Sequence, residues 1–349
     1  MIELVSPESG AAVSLLTPEQ RAFEALFDRG EASYERRAGF GFTAENEPFD
    51  RLSLPAPVVF SFRAEGAGEA TVDVSEKPDM SDPVPYLCGD VTVRDGVTSV
   101  PAYNLETGKT YYWRVKRGGE TSAVRSFRTA DGPRSLRIPA VENVRDIGGY
   151  VTKDGKRVRE GLVFRGESPD FREEHGRRIG LEKEGADHLF GALGVGTVID
   201  LCGNSYEDPV PDGIRVIRVG SFDYGDALAG EQRGYLTEYL EAVLDPAIYP
   251  VYIHCAAGAD RTGTALAFLE GILGMSDRDI GFDYYVTALS LAESELENWF
   301  SKKMFEGMFA ALADLYPGAE TFSELITSFV LDLGIERGQL DKLRDFLLE

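Results

Sequence analysis

Several features that would direct the interpretation elsewhere are scarce in this sequence. Its 349 residues include 3 cysteines and 3 histidines, so neither a disulfide framework nor a histidine-rich metal cluster is indicated. No apolar run approaches the ~20 residues needed to cross a bilayer, and the first residues lack the basic start and apolar core of a signal peptide. We therefore expect a cytoplasmic protein without a transmembrane segment; a leader preceding Met1 would change that expectation to secretion.

Positive charge is scarce as well. The chain has 36 Lys and Arg residues against 59 Asp and Glu residues, a formal net charge of -23. So acidic a chain is not expected to bind nucleic acid or an anionic membrane. It can still bind phosphate at a site that is locally positive. The length is sufficient for two domains or one large one, and the hydrophobic content of 43% is sufficient for a buried core.

One stretch, VYIHCAAGADRTG at residues 251–263, has the features of such a site. A strand pattern runs into Cys255, and a helical pattern begins after a short glycine-containing loop. The end of a strand next to a helix N-terminus favours an anion, and the same field should keep Cys255 in its reactive thiolate form. The planar fork of Arg261 can return over the loop and hold two phosphate oxygens. A structural cysteine beside a helix-capping arginine would leave this spacing unexplained.

These residues carry a family resemblance. His254, Cys255 and Arg261 match the HCx5R signature of cysteine-dependent phosphatases. The string HCAAGADRTG resembles the loop of bacterial lipid-phosphatase-like tyrosine phosphatases, which usually reads HCxxGKDRTG, with Ala259 in the place of the lysine. The segment NVRDIGGY at 143–150 resembles the NxRDLGGY motif that opens this family's domain and lies beside its loop.

The loop chemistry and the resemblance together imply a mechanism that needs no metal or cofactor. Cys255 would form a cysteinyl-phosphate, and Arg261 would stabilise the charge of the transition state. Thr262 would donate its hydroxyl to the sulfur, and His254 would orient the loop. The phosphate oxygens would be held by the backbone N–H groups of the loop residues, namely Ala256, Ala257, Gly258, Ala259, Asp260 and Arg261. The supporting residues would be Asn143, Arg145 and Asp146, with Arg145 either paired with Asp146 or facing the anion.

The general acid is left open between two aspartates. Asp260 lies in the loop, and its counterpart in the resembling family is the favoured proton donor. Asp223 precedes Cys255 by 32 residues, a distance that resembles the spacing of the acid loop in ordinary tyrosine phosphatases. We favour Asp260; the distance of each carboxyl group from the leaving oxygen decides between the two. Asp146 and Asp208 are more distant alternatives.

The expected function is that of a protein tyrosine or dual-specificity phosphatase. The substrate would be a phosphorylated protein or a small phosphomonoester. Ala259 removes a charge-assisted contact worth about 1 to 3 kcal/mol, which argues against polyphosphoinositides. The alternatives are a phosphoinositide or inositol phosphate phosphatase, and a catalytically weak phosphate-binding scaffold. The intact nucleophile argues against the scaffold.

Residues 133–349 predict an α/β phosphatase domain with a central, mostly parallel sheet flanked by helices. Leu181 to Leu193 fits an amphipathic helix that Gly194 ends. A stripe of apolar residues four apart favours buried core; it comprises Phe300, Met304, Met308 and Leu312. The alternative is a lid formed by residues of about 282–316.

Residues 1–132 predict an all-β sandwich with a helical and irregular excursion at about 17–55. Asp95-Gly96 indicates a tight hairpin. The stretch NLETGKTYYWRV resembles the fibronectin type III pattern, which implies that Tyr111 forms a corner hydrogen bond and that Trp113 lies in the core. This domain would be a spacer, or would contact a partner protein or a carbohydrate.

Overall fold

The computed structural model describes residues 1–30, 52–94, 96–169, 172–174, 177–179, 181, 183–203, 210–290 and 302–349. The chain forms two compact units: Met1–Thr17 with Leu54–Arg137, and Pro18–Ser53 with Ile138–Glu349. The excursion expected within the first domain therefore groups with the second unit, although most of it lies outside the described residues.

Strands of the described residues are numbered in chain order. The first nine are β1 Ile2–Ser6, β2 Ala11–Val13, β3 Val58–Ala64, β4 Gly68–Ser75, β5 Gly89–Val93, β6 Val97–Ala102, β7 Thr110–Arg117, β8 Glu120–Thr121 and β9 Arg125–Thr129. The others are β10 Arg134–Ser135, β11 Arg145–Asp146, β12 Val163–Glu167, β13 Arg172–Glu174, β14 Arg177–Ile179, β15 Thr197–Asp200, β16 Arg215–Arg218 and β17 Val251–Cys255.

The helices are numbered in the same way. They are α1 Pro18–Asp28, α2 Lys183–Ala186, α3 Gly230–Val243, α4 Asp260–Leu273, α5 Asp277–Val286, α6 Lys302–Leu315, α7 Phe322–Asp332 and α8 Arg337–Leu347. Short 3-10 turns cover Pro85–Leu87, Tyr224–Leu228, Pro246–Ile248 and Thr287–Leu289. Within the described residues, none of these helices is long and apolar enough to cross a membrane.

The first unit contains two sheets around one hydrophobic core. One sheet has the order β1-β3-β6 and the other the order β2-β9-β7-β4-β5, with β8 paired to β7. Phe60 and Phe62 of β3 share a buried cluster with Trp113 of β7 and Phe127 of β9. Alternation of apolar and polar residues along each strand explains this arrangement, because successive side chains point to opposite faces.

Two expectations for this unit have opposite outcomes. The corner hydrogen bond is confirmed: the Glu106 N–H donates to the Tyr111 hydroxyl at 3.0 Å, and Trp113 is fully buried. The hairpin expected at Asp95-Gly96 is wrong, because β5 pairs with β4 while β6 pairs with β3 in the other sheet. The chain changes sheet at this turn; Asp95 itself lies outside the described residues.

The sheet of the second unit is largely parallel, as expected. Strand β17 lies between β12 and β15, which it pairs with in parallel, and β16 extends the sheet beyond β15. The two-residue β11 pairs with β12 in the antiparallel sense. All five residues of β17 are buried. Its carboxyl end therefore opens at the middle of the sheet, where parallel sheets place ligands.

Helix α4 follows β17 and is buried on almost all sides. Phe268 packs against Phe329 of α7 with ring centroids 5.8 Å apart. A side chain at Gly271 would collide with Ile326, so close contact of the two helices requires glycine there. Gly274 ends α4 with a left-handed φ of 83°. This packing fixes where the N-terminus of α4 lies relative to the sheet.

Other predicted elements differ in detail. The helix expected over Leu181 to Leu193 consists of α2 followed by a π-helical turn at Asp187–Ala192. Gly194 follows with a φ of 69°, as expected for a residue that ends a helix. In the apolar stripe, Met308 and Leu312 are buried and Met304 is half exposed. Phe300 and the centre of the suggested lid lie outside the described residues.

Candidate active site

The phosphate loop, residues 255–261, joins the end of β17 to the start of α4. Gly258 has a φ of 65°, and a Cβ there would lie 2.3 Å from the carbonyl carbon of Gly166. Only glycine satisfies both the left-handed backbone and this close approach to β12. The α4 N-terminus therefore points at the space beside Cys255, which gives the loop the field expected to hold an anion.

The NxRD segment lies against this loop. The Asn143 side-chain amide donates to the carbonyls of Ala257 and Gly258 at 3.1 and 3.0 Å. Asn143 itself has a φ of 58°, a left-handed conformation that asparagine tolerates better than most residues. The expectation that this segment lies beside the loop is confirmed.

The arginine and the aspartate of that segment do not act as a pair. Arg145 forms its salt bridge with Asp283 on α5, with Nε 3.1 Å from Oδ1. The Asp146 carboxylate accepts hydrogen bonds of 2.7 Å from the N–H groups of Gly148 and Gly161. Asp146 thus connects the backbone of its own turn to that of Gly161, a structural role that argues against it as the general acid.

The environment of Cys255 departs from expectation at Thr262. Cys255 is buried, 3% exposed, at the base of the loop. The Thr262 hydroxyl is fully buried and has no hydrogen-bond partner among the described residues. The predicted donation from Thr262 to the Cys255 sulfur is therefore not made. The His254 ring lies on the strand, with Nδ1 3.3 Å from the Cys255 carbonyl, a place from which it can orient the loop.

Arg261 reaches across the end of β15. Its Nη1 donates to the Leu201 carbonyl at 3.3 Å. Burial alone would lower the pKa of Arg261, but the neighbouring Cys255, Cys202 and acidic groups raise it overall. The guanidinium therefore stays charged close to Cys255.

Asp260 occupies the first turn of α4. The Tyr224 hydroxyl donates a hydrogen bond to its Oδ1, and the Tyr284 hydroxyl lies 2.5 Å from that of Tyr224. Burial raises the pKa of Asp260 to about 6, and the nearby Asp223 adds to this effect, while the hydrogen bond from Tyr224 opposes it. Below that pH the carboxyl carries a proton that it can donate.

The competing aspartate lies at the same corner. Asp223 directly precedes Tyr224, and its N–H donates to the Gln232 side chain at 2.9 Å. Burial and the nearby Asp226 raise the pKa of Asp223, whereas Arg261 lowers it. The structure therefore brings both candidate acids beside Arg261. Asp208 lies outside the described residues.

Sequence reasoning missed residues that the fold brings to the loop. Arg165 of β12 donates to the Gly258 carbonyl at 2.8 Å and forms a salt bridge with Asp283. Tyr224, whose φ is 44°, donates its hydroxyl hydrogen bond to Asp260. For Asp283, the sequence offered one signal: a charged residue within an otherwise apolar helical pattern.

A buried group of potential metal ligands also went unnoticed. Asp200, Cys202 and His254 each place a donor atom within 4.8 Å of the others. The Cys202 N–H donates to Asp200 at 2.7 Å, and burial, with Cys255 and Asp200 nearby, raises the pKa of the Cys202 thiol. The protonated Cys202 thiol lies beside the Asp200 carboxylate, so these two groups already interact without a metal ion. The expectation of a metal-free mechanism stays a prediction; His175 lies outside the described residues.

A cysteine at the end of a central parallel strand, a glycine-containing loop and an arginine in the following helical turn are typical of cysteine-based phosphatases. A sequence model described as the tyrosine phosphatase family matches residues 136–349. Because this match covers more than half of the chain, the chain belongs to the tyrosine phosphatase family.

Other comparisons are weaker. A comparison with curated proteins finds no significant match. Two solved structures show likeness: the core catalytic domain of the PP-IP phosphatase SIW14 from S. cerevisiae in complex with citrate, and the Siw14 catalytic core. Each is 20% identical; they cover 49% and 45% of this chain, 94% of the other chain in both cases, with TM-scores of 0.29 and 0.28. A PhoD structure is 13% identical, covers 79% of this chain and 43% of its own, with a TM-score of 0.21. These scores leave the substrate to be argued from the site itself.

Proposed function

We propose that this chain is a phosphomonoesterase of the protein tyrosine or dual-specificity type that acts through a cysteinyl-phosphate. The observation that carries the proposal is the arrangement of the phosphate loop. Cys255 lies at its base, the α4 N-terminus points into it, and Arg261 and Asp260 stand in the first helical turn. Each requirement of in-line phosphoryl transfer therefore has a residue beside the loop.

In the first step, the Cys255 sulfur attacks phosphorus and forms an S–P bond as the bond to the leaving oxygen breaks. Backbone N–H groups of the loop and the Arg261 guanidinium hold the three equatorial oxygens. Asp260 donates its proton to the leaving oxygen, so that a neutral alcohol departs. In the second step, Asp260 takes a proton from water, which attacks phosphorus and releases phosphate and the thiolate.

Asp260 serves as the acid better than Asp223 because it belongs to the loop and is held by Tyr224. Its raised pKa, about 6, suits proton transfer near neutral pH. Asp223 would then act on Asp260 and Arg261 through its charge. The pH dependence of kcat in Asp260→Asn and Asp223→Asn distinguishes the general acid from the residue that acts through its charge.

The substrate favoured here is phosphotyrosine or a compact phosphomonoester. Ala259 stands where the resembling bacterial lipid-phosphatase-like enzymes have lysine, and its side chain is buried, 2% exposed. The loop thus lacks a second mobile cation beside the bound phosphate. A ligand with several phosphate groups would lose a charge-assisted contact of about 1 to 3 kcal/mol.

For the N-terminal unit, we propose a fibronectin type III-like module that contacts a partner or a carbohydrate. The Tyr111 corner bond and the buried Trp113 support the resemblance. Deletion of this unit should leave turnover of a small aryl phosphate intact if its role is partner contact.

The catalytic proposal is tested by p-nitrophenyl phosphate hydrolysis with vanadate as inhibitor. Cys255→Ser should abolish turnover, while Cys88→Ser, a cysteine of the N-terminal unit, serves as the matched control and should keep it. Equal rates for the wild type and Cys255→Ser would overturn the proposal. A panel of phosphotyrosine peptides and inositol phosphates then assigns the substrate class; preference for inositol phosphates would reject the argument from Ala259.

A further inference from the structure

Four consecutive carbonyl groups of the phosphate loop, those of residues 256–259, are held by hydrogen bonds. Each accepts a hydrogen bond from the surrounding framework: Ala256 from the Ser168 N–H, Ala257 from Asn143, Gly258 from Asn143 and Arg165, and Ala259 from the Gly263 N–H. The N–H groups of Ala257, Gly258 and Ala259 donate to no group among the described residues. A peptide whose carbonyl is held outward presents its N–H inward, so these bonds decide whether the loop can bind an anion.

One carboxylate holds the donor Arg165 directly and reaches the donor Asn143 through Arg145; the Ser290 hydroxyl donates to the same Asn143 oxygen at 3.2 Å. Asp283 accepts from Nε of Arg145 at 3.1 Å through Oδ1 and from Nη1 of Arg165 through Oδ2. Arg145 then donates to the side-chain oxygen of Asn143, which orients the Asn143 amide towards the loop. The group of Asn143, Arg145, Arg165 and Asp283, here called the brace, connects α5 to the loop carbonyls.

The brace is buried throughout. Its four side chains are 0 to 3% exposed. Burial favours the neutral acid at Asp283, but the two guanidinium groups together hold its pKa below the ordinary value. Its buried neighbour Glu270 behaves in the opposite way, since burial and the charge of Asp283 raise the pKa of Glu270 well above its usual range. The ionised carboxylate of the pair is therefore the one that contacts both arginines.

We propose that Asp283 is a positioning residue for the phosphate loop. By fixing Arg165 and, through Arg145, the Asn143 amide, it holds the loop carbonyls outward and the loop N–H groups ready for the oxygens of a phosphate. The inference rests on the proposed function, since it concerns how the same loop binds its anion. Asp283 does not touch the substrate; it acts through the brace.

Orthovanadate binding in a Cys255→Ser background tests this proposal separately from turnover. Asp283→Asn should weaken vanadate binding about 100-fold, because a misplaced binding group costs about that factor. Asn143→Gly removes both bonds to the loop while keeping the salt bridges, and glycine adopts the φ of 58° without strain. It should weaken binding about 10-fold, and it remains informative if Asp283→Asn fails to fold.

Two controls separate positioning from loss of stability. Glu270→Gln alters the same buried cluster but keeps a neutral side chain, so vanadate affinity should not change. Val330→Ala opens a cavity in α7 away from the loop and should lower the thermal midpoint without lowering affinity. Unchanged vanadate affinity in folded Asp283→Asn or in Asn143→Gly would overturn the proposal. A wild type that binds vanadate but hydrolyses no phosphomonoester would instead refute only the proposed function.

Discussion

The two sides of the phosphate loop are built from different chemistry. On one side, the brace consists of permanently charged or uncharged groups in fixed salt bridges. On the other, the acid corner consists of Asp223, Tyr224, Asp260 and Tyr284, whose carboxyl groups have raised pKa values. The brace should therefore act at every pH near neutrality, whereas the acid corner should change state within that range.

From this difference we expect the proposed anion binding and proton transfer to be supported by separate groups of residues. Changes in the brace should alter how tightly an oxyanion binds and how stable the chain is. Changes in the acid corner should alter the turnover number and its pH dependence.

The largest effect is expected at Asp260. Asp260→Asn removes the proposed acid, so kcat for phosphotyrosine peptide should fall about 100- to 10,000-fold. Vanadate affinity should stay within about threefold, because the brace is intact. Asp223→Asn is the matched comparison and should cost far less. If Asp223→Asn lost more kcat than Asp260→Asn and also lost the alkaline limb of the pH profile, Asp223 rather than Asp260 would be the general acid.

The same substitution makes a prediction about stability. The folded pKa of Asp260, about 6, lies above the ordinary value of 3.8. A raised pKa means that the folded chain binds this proton more tightly, so the contribution is present below pH 3.8 and is lost as pH rises through about 6. Asn stays neutral throughout. Thermal melts should show Asp260→Asn to be more stable than the wild type at pH 8, with little difference at pH 4.

The brace gives the next effect. Arg165→Met leaves Asp283 without one of its two arginine partners in a dry interior, which should lower the free energy of unfolding by about 3 to 5 kcal/mol. Arg215→Met breaks a pair with Asp245 that is about half exposed, with atoms 3.5 Å apart, and should cost about 0 to 1 kcal/mol. Urea unfolding measures both values. Equal losses would show that burial does not set the strength of the brace.

The comparison also shows how far the sequence alone could reach. The loop was predictable because His254, Cys255 and Arg261 lie within a few residues, and the strand and helix around them have clear patterns. The brace was not predictable, because Asp283 lies on a later helix and comes into contact with Arg165 only in the folded chain. The sequence shows a charged residue on an apolar helix, but it does not show which residue forms the ion pair with it.

Local signals failed where tertiary structure overrode them. Asp95-Gly96 indicated a hairpin, yet β5 and β6 belong to different sheets, since a turn signal does not say which neighbour a strand will pair with. Thr262 directly follows the phosphate loop, but α4 begins at Asp260 and places the Thr262 hydroxyl in the interior. The direction of the Thr262 side chain is therefore set by its position in the first turn of α4.

Tyr224 allows a finer test of the acid corner. Its hydroxyl donates to Asp260 and favours the ionised carboxylate, so Tyr224→Phe should raise the Asp260 pKa above its value of about 6. The alkaline limb of the kcat/KM profile should then move up by about 1 pH unit, since one charge-assisted bond is lost. Phe retains the aromatic ring and faces the same backbone requirement at a φ of 44° as Tyr does, so only the hydroxyl is lost. Tyr316→Phe, which removes an exposed bond of 2.7 Å to Asp332, should leave the profile in place.

The smallest effect is expected at Ala259, where the loop could receive its own mobile cation. Ala259→Lys should increase kcat/KM for inositol polyphosphates relative to a phosphotyrosine peptide by about 10-fold, the gain of one charge-assisted contact. The side chain must leave a buried position, so the thermal midpoint should fall at the same time. Ala259→Met has a similar length without the charge and controls for the added bulk. If both variants shift the substrate ratio equally, shape rather than charge at this position selects the substrate.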